Sequence, residues 1–172
     1  MKSFKILLAI LAISITSVQA QFVKADLQVS GLTCSMCSKA TEKSLRTLPF
    51  ISDIKPDLNR NLFVITFKKD APVNLDAISK KVQDAGFAVN KLTASFNFDN
   101  VKINNNYQFN YAGSTYHFLN VADKTLNGVT LITVIDKAFV PASTYKKYAA
   151  QTTLPSYKSG MMGSQKVYHV TI

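Results

Sequence analysis

Polar and apolar residues alternate over residues 25–30, with Ala25, Leu27 and Val29 set against Asp26, Gln28 and Ser30. A period of two is the mark of a half-buried β-strand. The period then lengthens. From Cys37 onward, Cys37, Ala40, Thr41, Ser44, Leu45 and Leu48 fall on one helical face, and Pro49 closes the run. Residues 50–58 predict a second strand, which Pro56 assigns to an edge or a bulge. Asn59-Arg60-Asn61 reads as a turn, and residues 62–68 as a third strand with Phe63, Ile65 and Phe67 on one face. Leu75, Ile78, Val82 and Ala85 line a second helix, with Asn74 as its N-cap and Gly86 as its stop. Residues 87–92 predict a fourth strand.

The order β-α-β-β-α-β is the split βαβ arrangement of ferredoxin-like folds, with two helices covering one face of a four-stranded antiparallel sheet. After residue 94 the pattern changes. Asn and aromatic residues rise, with Phe96, Phe98, Tyr107, Phe109, Tyr111, Tyr116 and Phe118 in short β-prone runs. Turn residues divide these runs at Asn104-Asn105-Asn106, Ala112-Gly113-Ser114, Ala122-Asp123-Lys124 and Asn127-Gly128. Residues 129–135 are the most apolar strand, residues 143–150 suit one short helix, residues 156–163 read as a mobile loop, and residues 167–172 close as a strand. The expectation is an α+β chain: a ferredoxin-like βαββαβ domain over 21–94, then a small β-rich domain, barrel-like or sandwich-like, over 95–172. The two halves are expected to fold as separate units.

Residues 1–20 change the compartment. Lys2 and Lys5 precede an apolar run over residues 6–15, and Val18-Gln19-Ala20 fits a small-x-small cleavage site. This is the pattern of a secretory signal peptide, with Gln21 as the first mature residue. The run is shorter than the ~20 residues of a membrane span, so no stable membrane insertion is expected after cleavage. The expected location is periplasmic or secreted. The formal net charge is +10, two less without Lys2 and Lys5. The lysine pairs Lys68-Lys69, Lys80-Lys81 and Lys146-Lys147 are separate rather than one block, which suits a solvated surface. Nucleic acid is not an expected partner of an exported chain.

Cys34 and Cys37 are the only cysteines. They sit in Gly31-Leu32-Thr33-Cys34-Ser35-Met36-Cys37, between the first strand and the first helix, at the end of the sheet where Ala85-Gly86-Phe87 also lies. A helix N-terminus favours thiolate, because unpaired N–H groups and the helix dipole stabilise negative charge. Thiolate binds soft metals and also attacks disulfides. The pair therefore offers metal binding or redox chemistry, and a plain disulfide is the bland alternative. A thioredoxin-like role is disfavoured: no aromatic residue precedes Cys34, no Pro lies between the cysteines, and the element order differs.

Residues 22–94 resemble a heavy-metal-associated domain, the module of copper chaperones and of the N-terminal regions of metal-pumping P-type ATPases. The family motif Gly-Met-Thr-Cys-x-x-Cys stands here with Leu32 in place of Met, and Gly86-Phe87 resembles the family's Gly-aromatic step beside the metal loop. The resemblance implies that Cys34 and Cys37 are the metal ligands. The cofactor implied is Cu(I), with Zn(II) or another soft metal as the alternative. It also implies an inward-packed Leu32 and a metal-transport or acceptor protein as partner. Met36 covers the site or lends it a thioether.

The second half offers His117, His169, Met161 and Met162 as further donors. No second ligand stands at useful spacing from either histidine, so both read as ordinary surface or core residues, and the two methionines as loop or partner-contact residues. No Ser-His-Asp set, paired carboxylates or phosphate loop is visible, so no enzyme is expected. The sequence reads as an exported protein that holds a soft ion and passes it on by ligand exchange. A thiol-disulfide redox protein and a non-metal interaction module are the competing readings.

Overall fold

The structure, a computed structural model, describes residues 21–32 and 34–172. The expected signal peptide, residues 1–20, lies outside the described residues. Among the described residues no helix is long and apolar enough to cross a membrane.

The first half follows the predicted order. β1 (Phe22–Ser30) leads to α1 (Ser35–Leu45), β2 (Ile51–Asp57), β3 (Leu62–Phe67), α2 (Leu75–Asp84) and β4 (Ala88–Ile103). These strands lie in the order β2-β3-β1-β4, each pair antiparallel. Alternation does the work: Leu27, Phe63, Ile65 and Leu92 are fully buried beneath Leu45, Leu75, Ile78 and Val82 of the two helices. Asn74 caps α2 as expected, its side chain accepting the Ala77 N–H at 3.0 Å. The Gly86 N–H donates to Gln83 O beyond it, at a φ of +87° that glycine adopts without strain. α1 departs from its expected face. Its buried residues are Ser38, Thr41 and Leu45, and Ala40 is exposed. It also ends at Leu45, before Pro49. Ser44, on the expected face, meets α2, its hydroxyl donating to Lys81 O at 2.9 Å.

β4 is far longer than the strand expected over 87–92. It runs for 16 residues, straight through the boundary expected between residues 94 and 95. Along it lies β7 (Lys124–Val134), paired from Leu92↔Val134 to Ile103↔Lys124. Asn127-Gly128, expected to be a turn, is inside β7. Its role is to face a bulge in β4 between Phe98 and Val101, where Asn100 takes a φ of +49° and Gly128 a φ of +73°.

The remaining elements are β5 (Gln108–Tyr111), β6 (Ser114–Phe118), α3 (Ala142–Ala149), α4 (Pro155–Ser159), β8 (Met161–Met162) and β9 (Gln165–Thr171). The expected loop over 156–163 is instead helix α4 and a short hairpin of β8 on β9. This half is β-rich, as expected, but it does not close on itself. Its strands prolong the first sheet in the order β2-β3-β1-β4-β7-β9-β6-β5, with β6 and β9 parallel. The sheet also rolls. Phe22 at the start of β1 meets Phe96 edge-on at 4.9 Å and Tyr111 of the far strand β5 at 5.0 Å. One hydrophobic cluster therefore runs from Leu27 and Phe63 to Tyr116 and Val170. A smaller one, with Leu119, Ile135 and Tyr157, lies under α3 and α4. β6 and β9 are thus covered on both faces, which is why the alternation there is weak.

Candidate metal centre

The thiol loop joins β1 to α1. Gly31 leaves the strand at a φ of +83°, and a Cβ there would meet the Phe87 ring at 3.6 Å. Phe87 follows the turn after α2, so its ring flanks the loop as the sequence predicted. Leu32 is buried and anchors the loop from below, which is the packing role expected of it. Cys34 is exposed and Cys37 half-buried, packed against the core. Met36 projects into solvent, 80% exposed, so its side chain does not cover the sulfurs.

Cys34 is the N-cap of α1, and its Sγ accepts the Cys37 N–H at 3.1 Å. The first turn of α1 carries no acidic residue. The unopposed end of the helix thus favours negative charge on Cys34 when it is free. In this structure Cys34 and Cys37 are joined as a disulfide, with Cα atoms 5.3 Å apart. That separation already brings both side chains to one point. Opening the bond takes two electrons and two protons, and leaves two thiols on a loop fixed at both ends. A thiol pair so placed can bind a soft ion or exchange with another disulfide.

Residues 26–88 match the family described as heavy-metal-associated domain. They are similar to the COP-associated protein of Helicobacter felis, 34% identical over 65 residues that make up 38% of this chain and 96% of that protein. The chain belongs to the heavy-metal-associated domain family. The chain is also similar to copper-transporting ATPase 1 of Rhizobium meliloti, 31% identical over 86 residues, half of this chain. The chain spans only about a tenth of that ATPase. Among solved structures, apo-CopP of Helicobacter pylori is 33% identical, covering 38% of this chain and 97% of its own, with a TM-score of 0.34. The heavy-metal-associated segment ends near Ala88, so most of β4 and everything after it lies outside the match.

The second half contains what the sequence did not show. His117 and His169 stand opposite each other on β6 and β9, ring centroids 5.7 Å apart, and both are buried. The Asp136 carboxylate accepts from His169 Nδ1 at 2.7 Å and from the His169 N–H at 2.8 Å. Ser156 Oγ lies 3.0 Å from His169 Nε2. A linked Ser-His-Asp set is therefore present, contrary to the sequence reading. Its members come from α4, β9 and the loop after β7, spaced too widely for any motif. His169 has no exposed surface, so the set presents no histidine edge to an organic substrate. Met161 and Met162 are exposed neighbours on β8. Successive residues of a strand point to opposite faces, so the two thioethers diverge.

Proposed function

We propose that this chain is an exported metal carrier in which Cys34 and Cys37, once reduced, hold Cu(I) or a similar soft ion and pass it on by ligand exchange. The observation that carries this reading is Cys34 at the N-cap of α1 with Cys37 one turn on, in a segment of the heavy-metal-associated family. An exposed Cys34 leaves one side of the ion open to an incoming thiolate or thioether, so one protein ligand is replaced at a time. Copper is favoured because relatives of the segment are described as copper-transporting, and two thiolates suit Cu(I) better than a metal that demands four ligands. The partner would be a metal-transport or acceptor protein. Location in the periplasm or outside the cell rests on residues 1–20.

The decisive experiment compares the reduced full chain with Cys34→Ser/Cys37→Ser under anaerobic Cu(I) titration against a colorimetric chelator. The reduced chain should retain one more equivalent than the variant. Equal retention sinks the thiol site. The disulfide of this structure favours a second reading, a thiol-disulfide protein. In that case, reduced chain should reduce a glutathione disulfide probe at a rate that added Cu(I) does not suppress.

A further inference from the structure

We propose that His117 and His169 form a second, internal site for a monovalent soft cation, Cu(I) by chemical class, independent of the thiol loop. The two residues are an aligned pair on parallel strands, so their side chains leave the sheet side by side. Their Nδ1 edges are held from opposite directions. Asp136, on the β7 side, takes His169 Nδ1. Gln108, on the β5 side, meets His117 Nδ1 at 3.4 Å. Each ring is thus anchored at Nδ1 from outside the pair, which leaves Nε2 on the side away from that anchor. Imidazole nitrogens sharing one ion at ~2.0 Å each stand ~4 Å apart or less, which rings with centroids 5.7 Å apart can satisfy.

The two Nε2 atoms are the donors left to such an ion. His117 Nε2 is buried without a hydrogen-bond partner, and a buried polar nitrogen left so is costly unless something else satisfies it. In the neutral tautomer that donates Nδ1–H to Asp136, the His169 Nε2 lone pair faces the Ser156 hydroxyl. A carboxylate behind a histidine is also the support that orients a metal-ligating imidazole. On His117, Nδ1 lies 3.4 Å from the Gln108 amide nitrogen; an ion at Nε2 requires that amide to turn over, so that its oxygen accepts Nδ1–H and the Nε2 lone pair is freed.

Charge and ligand number select the ion. No group of three or more His, Cys, Asp or Glu is assembled for a metal among the described residues, so the donors are two imidazoles and the Ser156 hydroxyl. Zn(II) in a structural site takes four protein ligands. Around the pair, Asp136 is the carboxylate within hydrogen-bond reach, and the Tyr157 hydroxyl is committed to Ile135 O at 2.7 Å. One carboxylate balances a monocation and leaves a dication half neutralised in a buried site.

The test uses the full chain carrying Cys34→Ser/Cys37→Ser, so its outcome is separate from that of the thiol site. Anaerobic titration with Cu(I) against bicinchoninate should show one equivalent bound, and copper X-ray absorption should show nitrogen and oxygen neighbours without sulfur. His117→Phe in the same background should weaken binding at least tenfold with no loss of thermal stability, since it removes an unpartnered buried nitrogen. Ser156→Ala should weaken binding less than His117→Phe does. Absence of binding in the thiol-free chain, survival of binding in His117→Phe, sulfur scattering that points to Met161 or Met162, or Zn(II) held as tightly as Cu(I) would each overturn the proposal.

Discussion

The Tyr168 hydroxyl on β9 accepts the backbone N–H of Asp76, in the first turn of α2, at 3.2 Å. The first N–H groups of a helix have no partner within it, so a residue from the second half completes a helix of the first. Lys166, two residues earlier on β9, adds an ion pair to the Asp76 carboxylate at 2.9 Å. Nearby, Tyr111 accepts the Val73 N–H and donates to Ala71 O, and Ser79 donates to Ala138 O. The thiol loop's neighbour, α2, is thus held along its length by residues that the family match does not include.

Tyr168→Phe should lower stability by about 1–2 kcal/mol, because the Asp76 N–H loses its acceptor in a half-buried setting. Chemical denaturation of the wild type and the variant measures this directly. A loss near zero would mean that water replaces the phenol, and that β9 and α2 are coupled by packing alone.

Alkaline pH should unfold the protein. Burial is the main cause that raises Tyr116, Tyr157 and Tyr168, and to a smaller extent Tyr111, above the ordinary phenol range. In the unfolded chain these groups ionise near pH ~10, while the folded chain keeps their protons. The folded state then binds more protons, so its stability is fully present below pH ~10 and falls as pH rises through it. Urea midpoints recorded between neutral pH and pH 11, with tyrosinate absorbance followed in parallel, should show unfolding and ionisation together. Tyrosines that titrate freely while the fold persists would contradict the buried assignments.

A fragment of residues 21–94 should not fold as the intact chain does. Cutting there removes Ser95 to Ile103 of β4, the whole of β7, and Phe96 and Tyr111 from around Phe22. The full chain should melt in one transition, and the fragment should melt far lower or lack a cooperative transition in calorimetry. Two resolved transitions in the full chain would restore the picture of separate units.

The length of β4 shows what the pattern of residues can and cannot carry. The first half was legible because each element has its own period and punctuation: alternation through Val29, Asn74 as a cap, Gly86 as a stop. The thiol site was legible because two cysteines in one loop are local in sequence. β4 was not, because Phe96 and Phe98 continue the alternation of Leu92 and Ala94 without a break, and the end of a family match says nothing about where a strand ends. Asn127-Gly128 carries the same local chemistry in a bulge as in a turn, and only the strand opposite decides. The histidine pair depends on β6 and β9 lying side by side, residues 117 and 169 in register, and nothing in either segment announces the other.

Reduction of the disulfide should change stability only modestly. The bond closes a loop of four residues, for which loop-closure entropy is worth ~2 kcal/mol at most, and the first turn of α1 keeps Cys34 as its cap in either state. Melting with and without dithiothreitol should differ by a few degrees. Collapse of the fold on reduction would mean that the bond, rather than Leu32 and Phe87, shapes the loop.

A sheet can be joined from outside only along strands whose hydrogen-bonding edge is free. If the chain stopped where the family segment stops, β4 would be such an edge, next to the thiol loop. Here β7 occupies it from Leu92 to Ile103, and the outermost strands become β2 and β5. A strand added from outside is thereby excluded from Leu92 to Ile103, and only residues 88 to 91 of β4, beside the thiol loop, keep that edge unpaired by β7.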